Sequence, residues 1–170
     1  MKIANDVCVL VQARLGSERV PQKMIRPFAG TTLMDICLKK LSESKVIPKK
    51  NIFASVYEPE LISIAKKHEI NVFYRSKESA DSEGTPMSLM YEWWDKLPYK
   101  YCILVNACAP FLSLETIEKF YEEYLKTSDN GLFGVVEKKN YFWNNKGQLI
   151  TPWPKGQAVM NTKYVENTFE

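Results

Sequence analysis

A short run of continuously apolar residues near the start of the chain limits the fold more than any other feature. Residues 7–11 read Val-Cys-Val-Leu-Val, with no alternation between apolar and polar positions. This pattern is typical of a strand that is covered by protein on both faces. Such strands occur in parallel sheets with helices on either side. The run therefore predicts a central strand of an α/β domain.

Strand and helix patterns alternate after this first run. Apolar residues recur at helical spacing over residues 33–41, and Thr31 or Thr32 is placed to cap that helix. The remaining predicted elements are, in order, strand 51–56, helix 59–68, strand 71–74, helix 86–96, strand 101–105, helix 113–126 and strand 131–136. Alternation of this kind is typical of a three-layer, doubly wound, mostly parallel sheet of the Rossmann-like α/β class.

Length and composition favour one compact domain over residues 1–170. The 170 residues are 45% hydrophobic and 25% charged, and a single globular domain commonly has about 100–200 residues. The net charge of +3 is too small and too dispersed to predict a nucleic-acid partner. No apolar stretch has the length of a signal-peptide core or a membrane span. We therefore expect a cytoplasmic protein without a membrane partner.

The cysteines, the single histidine and one aromatic stripe are interpreted as structural residues. Cys8, Cys37, Cys102 and Cys108 lack zinc-like spacing, and we expect reduced thiols in the core. His68 falls in the last turn of a predicted helix, where an exposed side chain is expected. A stripe at helical spacing predicts a core face; it comprises Met87, Leu89, Met90, Trp93, Trp94 and Leu97.

The polar segment after the first strand is the most informative part of the chain. It places Arg14, Arg19 and Lys23 within ten residues and interleaves them with Gly16 and Ser17. In open α/β sheets, ligands bind beyond the carboxyl ends of the strands. Guanidinium, ammonium, hydroxyl and close main-chain groups suit a triphosphate. The segment predicts a phosphate-binding loop, and solvated loop cations are the alternative.

Two common phosphate motifs are absent from this segment. The sequence contains no G-x-x-x-x-G-K-[ST], and Gly16 alone cannot form a G-x-G-x-x-G fingerprint. P-loop and dinucleotide-cofactor interpretations therefore lose support.

The order of residues in this loop resembles a known family. Residues 13–23 read A-R-L-G-S-E-R-V-P-Q-K and residues 26–33 read R-P-F-A-G-T-T-L. They resemble the opening A-R-x-G-S-x-R-x-P-x-K motif and the following segment of the sugar-activating cytidylyltransferases, which include acylneuraminate, ketodeoxyoctonate and spore-coat enzymes. Residues 104–111, L-V-N-A-C-A-P-F, are similar to the family's L-Q-P-T-S-P-L segment, and residues 135–143 match a later region more weakly. The similarity extends over about residues 7–150.

The resemblance implies a fold like that of nucleotide-diphospho-sugar transferases and an enzymatic activity. CTP and a keto sugar acid would give a CMP-sugar and pyrophosphate, for surface glycan biosynthesis, with Mg²⁺ as cofactor. Arg14 and Lys23 would be catalytic residues that hold the triphosphate. The resemblance assigns nucleotide or sugar binding to Ala13, Gly16, Ser17, Arg19, Arg75 and Asn106. The irregular residues 138–154 would extend to a partner subunit, which predicts a homodimer.

Several positions depart from the family pattern. Met24 stands where the family has an asparagine that reads cytosine, so the base stays open. Cys108 stands where the ketodeoxyoctonate branch has a metal-binding aspartate, and the aspartate pair of the acylneuraminate branch would follow Glu170. We therefore expect a chain that is shortened at the C-terminus or lacks the pair, and the metal ligands stay unknown. Solvated or helix-facing roles are expected for Asp35, Asp81 and Glu83.

Two other functional hypotheses remain open. The first is a non-catalytic nucleotide- or sugar-binding module with the same fold, which Met24 and the missing aspartate pair favour. The second is a nucleotidyltransferase that uses UTP or GTP. The absence of its usual L-x-x-G-x-G-x-R opening counts against it. The sequence does not identify the sugar, because loop shape decides acceptor choice in such folds.

Overall fold

The computed structural model describes residues 1–81, 85–158 and 161–170. The chain forms two compact units, Met1–Asp129 and Asn130–Glu170, and each is described by itself. The prediction of one domain over residues 1–170 stays a prediction. In the described part of the chain, no helix combines the length and the apolar character needed to cross a membrane.

A parallel four-stranded sheet forms the centre of the first unit. Its strands are β1 (Val7–Gln12), β2 (Ile52–Val56), β3 (Asn71–Tyr74) and β4 (Tyr101–Leu104), in the order β3-β2-β1-β4. Val9 pairs with Ile52 on one side of β1. Cys8 pairs with Cys102 on the other side. The apolar run at residues 7–11 is thus a central strand, as predicted.

Helices flank this sheet, and two of them begin where the predicted capping residues lie, at Thr32 and Ser113. They are α1 (Leu33–Ser42), α2 (Pro59–Lys67), α3 (Lys77–Ala80), α4 (Met87–Met90) and α5 (Leu114–Lys126), with short 3-10 turns at Ala4–Asp6 and Lys49–Asn51. The Thr32 hydroxyl accepts the Asp35 amide of α1 at 3.1 Å. The Ser113 hydroxyl caps α5 in the same way, at 3.1 Å from the Thr116 nitrogen. Each cap satisfies an amide that has no partner within its helix.

One apolar core joins the sheet to its longer helices. Successive strand residues face opposite sides of a sheet, so alternate residues of β1 point into this core. These residues are completely buried. The helices contribute apolar stripes at three- and four-residue spacing. The core includes Val7, Val9 and Val11 of β1, Leu38 and Leu41 of α1, Leu61 and Ala65 of α2, and Ile117, Tyr121 and Tyr124 of α5.

The predicted helix over residues 86–96 is wrong beyond its first turn. Helix α4 ends at Met90, and irregular turns follow. The Met90 carbonyl accepts side-chain bonds from Gln12 at 3.3 Å and Arg75 at 3.5 Å, so it serves other segments instead of extending the helix. Trp93 is buried as predicted, but Met87 and Trp94 are 67% and 62% exposed. The stripe is therefore only partly a core face.

The second unit, Asn130–Glu170, has little regular structure. Its strands are β5 (Glu137–Lys138) and β6 (Thr168–Phe169), paired antiparallel, and Thr162–Tyr164 form a 3-10 turn. The predicted strand 131–136 is wrong. In the part of this segment that the structure describes, only Val136 pairs with β6 and its flank, through two backbone bonds with Glu170. The predicted turn at residues 144–147 is confirmed by bonds from the Lys146 and Gln148 amides to the Asn144 side chain.

Asp35 and His68 meet in a largely buried cluster between two helices, so the expected exposure of His68 is wrong, whereas Asp35 takes the helix-facing role that was one of its two expectations. The packing of α1 against α2 places the Asp35 carboxylate 2.9 Å from His68 Nε2 and 2.6 Å from Lys67 Nζ. Thr31 donates a hydroxyl bond to the same carboxylate at 2.8 Å. The side chains of Asp35 and His68 are only 12% and 11% exposed. Neither residue is solvated, since each satisfies the other at the interface between the two helices.

The cysteines follow their prediction only in part. All four are reduced; Cys8 and Cys37 are buried, whereas Cys102 is half-buried and Cys108 is exposed. Cys108 is therefore not a core thiol. It lies in the loop after β4, beyond the part of the apolar run that the sheet buries.

Replacing Asp35 should lower stability in a pH-dependent way. The Lys67 ammonium, helped by His68 and Thr31, holds the pKa of Asp35 well below its usual range. The ionised carboxylate therefore stabilises the fold above its ordinary pKa of about 4, and this contribution is lost as pH falls towards the lowered value. We expect Asp35→Asn to reduce the free energy of unfolding at pH 7 by roughly 2 kcal/mol, measured by urea denaturation.

Glu43→Gln is the matched control for this measurement. Glu43 is exposed at the other end of α1, where removing a negative charge does not weaken the helix dipole. We expect the difference between Asp35→Asn and wild type to shrink from pH 7 to pH 3, and the control to show no such trend. Equal stability of Asp35→Asn and wild type at pH 7 would contradict the assignment.

Candidate active site

The carboxyl ends of the parallel strands define one edge of the sheet, and the loop after β1 lies along it. Ala13 follows β1 directly and is 4% exposed. Its amide donates to the Ser55 carbonyl of β2 at 3.2 Å, which extends the strand pairing into the loop. The loop then turns at Gln22, whose φ of 53° lies in the left-handed region, and leads to α1.

A cavity of about 460 Å³ opens at this edge. Seven residues predicted for the site line it: Ala13, Arg14, Ser17, Arg19, Lys23, Arg75 and Asn106. Gly16 lies in the same loop and does not line the cavity. The other lining residues are Gln12, Glu18, Met24, Met90 and Cys108. The structure thus brings loops from β1, β3 and β4 together around one space, as ligand binding at an open α/β sheet requires.

Three cationic side chains of the β1 loop reach this cavity. Arg14 is half-buried, and its Nη1 donates to the Asp81 carbonyl at 2.5 Å. Arg19 is exposed and Lys23 is half-buried. Among the described residues, neither Arg19 nor Lys23 forms a salt bridge, although Glu18 lines the same cavity. The cavity therefore has cationic groups that can receive an anionic ligand.

Glu58 holds the loop in place, and sequence reasoning missed it. Its Oε1 accepts the backbone amide of Leu15 at 2.7 Å. The Ser17 amide donates to the Leu15 carbonyl at 2.8 Å, which closes a tight turn. Glu58 precedes α2, so a residue 43 positions away from Leu15 anchors the loop after β1. In the sequence, only the position of the Glu58 carboxylate shortly after a predicted strand indicates this anchoring role.

Arg75 is buried and bound by neighbouring protein groups. Its Nε donates to the Ser79 hydroxyl at 3.0 Å, and Nη2 donates to the Ser79 carbonyl. Longer bonds of 3.5 Å reach the carbonyls of Ala13 and Met90. Burial lowers the pKa of this guanidinium, and the negative charge of Glu58 opposes the effect. Arg75 therefore joins the ends of β1 and β3 to α4 while it lines the cavity.

Asn106 and Met24 both line the cavity, but Asn106 is exposed and Met24 is buried. Asn106 is exposed after β4, and its Oδ1 accepts the Cys108 amide at 2.9 Å. Asn106 lines the cavity after this turn. Met24 is 4% exposed, and its carbonyl accepts the Met34 amide of α1 at 3.1 Å. Met24 thus joins the core and cannot supply the side-chain hydrogen bonds of an asparagine.

Gln12 is a further polar residue that the sequence predictions missed. It is the last residue of β1, and its amide oxygen accepts the indole N–H of Trp93 at 2.7 Å. Its amide nitrogen donates to the Met90 carbonyl at 3.3 Å. The sequence does indicate such a role, because Gln12 is a polar residue at the carboxyl end of an apolar strand, and ligands of open α/β sheets bind beyond these ends.

No metal site is formed by the side chains that the structure describes. Within residues 1–81, 85–158 and 161–170, no three His, Cys, Asp or Glu side chains form a group that could hold a metal. Asp35 is engaged between two helices, and Glu83 lies outside the described residues. The described side chains therefore offer no cluster of three protein ligands for Mg²⁺, and the predicted Mg²⁺ stays a prediction.

Comparison with known proteins identifies the family to which the chain belongs. Residues 8–163 match the sequence profile of the family described as Cytidylyltransferase, which is most of the chain. The chain belongs to this family. The predicted resemblance to cytidylyltransferases is confirmed.

Individual cytidylyltransferases are similar to the chain at low identity. The pseudaminic acid cytidylyltransferase of Campylobacter jejuni serotype O:2 is 23% identical in a 156-residue alignment that covers 85% of this chain and 66% of that protein. A cytidylyltransferase structure from Leptospira borgpetersenii has a TM-score of 0.58 at 23% identity, over 72% of this chain and 50% of that one. A CMP:2-keto-3-deoxy-manno-octonic acid synthetase complexed with CTP has a TM-score of 0.56 at 14% identity, over 69% and 46%.

These superpositions confirm the predicted Rossmann-like α/β nucleotidyltransferase fold. The chain spans about two thirds of the length of the Campylobacter cytidylyltransferase and about half of each solved chain. Membership of the cytidylyltransferase family is therefore shown over residues 8–163.

Replacing Arg75 with lysine should destabilise the fold. A single ammonium group cannot reach the acceptors on Ser79, Ala13 and Met90 that the planar guanidinium reaches together. Buried carbonyls left without donors cost free energy, and we expect Arg75→Lys to lower the free energy of unfolding by about 2–3 kcal/mol. Urea denaturation measures this, with Arg26→Lys at an exposed site as the control. A loss of nucleotide affinity with unchanged stability would instead assign Arg75 to the ligand alone.

Proposed function

We propose that this protein transfers the cytidylyl group of CTP to a sugar acid and releases pyrophosphate. The single observation that carries the proposal is the cavity beyond the carboxyl ends of β1, β3 and β4, which Arg14, Arg19 and Lys23 line. Family membership supports the nucleotide. The relatives that act on pseudaminic acid and 2-keto-3-deoxy-manno-octonic acid support the acceptor class.

The proposed reaction is a displacement at the α-phosphorus of CTP. A hydroxyl oxygen of the sugar acid forms a bond to that phosphorus and gives up its proton. The bond between the α-phosphorus and the bridging oxygen of pyrophosphate breaks, and pyrophosphate leaves with the electron pair. Negative charge increases on the phosphate oxygens during this exchange, so fixed cations stabilise the transition state.

The cavity residues divide this work by their chemistry. Arg14 and Arg19 offer planar N–H groups that can each hold two phosphate oxygens, whereas Lys23 offers one compact charge. Ser17 adds a hydroxyl. The role predicted for Gly16, which lies in the loop outside the lining, stays a prediction. Asn106 has an amide nitrogen that can donate to an acceptor hydroxyl or carboxylate. Arg75 shapes the cavity from behind.

Mg²⁺ would add charge neutralisation at the triphosphate if it accompanies CTP. The described side chains form no cluster of three or more His, Cys, Asp or Glu residues to hold it, so the proposal assigns no step to the ion. The predicted homodimer through residues 138–154 also stays a proposal. It is supported by the half-exposed Trp143 and Trp153, which both contact the Tyr141 ring.

The first experiment is a calorimetric titration of the 170-residue chain with CTP, UTP, GTP and ATP, each with and without Mg²⁺. We expect CTP to bind most tightly. Pyrophosphate release is then measured with CTP and either pseudaminic acid or 2-keto-3-deoxy-manno-octonate. Binding of CTP without release in either assay would favour a non-catalytic nucleotide-binding module. Absence of binding to every nucleotide would refute the proposal.

Removing single cavity cations should weaken CTP binding. We expect Arg14→Ala and Lys23→Ala each to raise the dissociation constant roughly 10- to 100-fold, because charge-assisted bonds to phosphate are lost. The matched control is Arg26→Ala, which removes an exposed arginine that follows the same loop and does not line the cavity. Calorimetry on the three variants provides the comparison. Equal affinities for Lys23→Ala and the control would remove Lys23 from the site.

A further inference from the structure

We propose that Gln12 reads the nucleobase and that Trp93 fixes which base it accepts. This inference rests on the proposed function, because it concerns the same cavity. Gln12 is half-buried at the end of β1 and lines the cavity beside Met24 and Met90. These residues are neutral, unlike Arg14, Arg19 and Lys23. Polarisable methionine side chains suit a flat, uncharged base, whereas Arg14, Arg19 and Lys23 suit phosphates. The Arg75 guanidinium shares the Met90 carbonyl with Gln12 and is held by protein acceptors.

The orientation of the Gln12 amide is determined by its two partners. The indole nitrogen of Trp93 can only donate a hydrogen bond, and it lies 2.7 Å from Gln12 Oε1. The Met90 carbonyl can only accept, and it lies 3.3 Å from Gln12 Nε2. A flipped amide would place two donors together on one side and two acceptors on the other. The pair therefore selects one of the two amide orientations.

The fixed amide retains hydrogen-bonding capacity for a ligand. A glutamine amide has two N–H donors and two oxygen lone pairs. Within the described residues, the bonds to Trp93 and Met90 use one donor and one lone pair. One N–H and one lone pair remain, on adjacent atoms of the amide and with a fixed polarity. Such a pair complements an edge that presents a donor next to an acceptor.

Cytosine and uracil differ in the polarity of this edge. Cytosine presents the N4 amino group as a donor beside N3 as an acceptor, whereas uracil presents O4 as an acceptor beside N3–H as a donor. An amide that cannot flip pairs with only one of these edges and leaves buried groups unpaired with the other. Sites that reject a ligand through unpaired polar groups discriminate strongly. With Met24 in the core, Gln12 supplies the side-chain hydrogen bonds for base choice.

Trp93 is a positioning residue in this scheme, and its indole N–H is the group to remove. Trp93 is 5% exposed, and Trp93→Phe keeps a buried aromatic ring while it deletes the donor to Gln12. The Met90 carbonyl alone then holds the amide, through a bond of 3.3 Å, so the amide turns more readily to suit either base. We expect UTP to bind more tightly than to wild type and CTP affinity to change less, so that the ratio of the two dissociation constants falls about 10-fold. A purely structural role would weaken both nucleotides alike.

Two further variants complete the test, each titrated calorimetrically with CTP and with UTP. Gln12→Leu removes the amide with little change in volume, and we expect CTP affinity to fall about 10-fold and the preference for CTP to disappear. Trp94→Phe is the matched control, because the neighbouring indole is 62% exposed and lies outside the cavity lining. It should leave the ratio at the wild-type value. Thermal denaturation reports whether each variant folds.

The outcomes separate this inference from the proposed function. Wild-type chain that binds no nucleoside triphosphate refutes the proposed function and the inference with it. Wild-type chain that prefers CTP, with the same preference in Gln12→Leu, refutes the inference alone. If Trp93→Phe does not fold, the Gln12→Leu titration still decides whether Gln12 reads the base. A preference for UTP in wild type that Gln12→Leu abolishes would keep Gln12 as the reader but reverse the assigned polarity.

Discussion

The hydrogen bonds of the buried Arg75 guanidinium hold together the edge of the sheet where the parallel strands end. Ser79, Ala13 and Met90 belong to three separate segments, and each supplies acceptors to this one side chain. A charge in such a place is tolerated only when its hydrogen bonds are satisfied. Because the acceptors are mostly main-chain carbonyls, Arg75 determines where the backbone lies at the ends of β1 and β3. The shape of the cavity therefore depends on a charged side chain of its lining that is held by protein acceptors.

The same constraint explains why α4 stops after one turn. A continuing helix would have used the Met90 carbonyl for its own ladder. Here that carbonyl accepts from Gln12 and Arg75, and the chain turns so that Trp93 reaches Gln12. The local helical preference of residues 86–96 gives way to hydrogen bonds with β1 and β3. Tertiary contacts of this kind are what a pattern along the chain does not contain.

Much of the first unit could be predicted from the sequence because its signals are local. The run at residues 7–11 predicts β1, and Thr32 and Ser113 mark the starts of their helices through their own hydroxyl bonds. The cavity cations Arg14, Arg19 and Lys23 could be found because they lie in one loop. Glu58 and Gln12 could not, since their roles depend on partners 43 and 81 positions away. The pairing of Asp35 with His68 was missed for the same reason, and an exposed histidine was expected instead.

The contact between Asp35 and His68 has a practical consequence, because the sequence contains one histidine. The imidazole of that residue lies 2.9 Å from the Asp35 carboxylate, at the junction of α1 and α2. In a proton NMR spectrum all imidazole signals would belong to this one residue. Their chemical shift would follow the separation of the two helices during refolding or ligand binding. The chain thus carries its own spectroscopic reporter at the point where the loop leading from the cavity meets the helical layer.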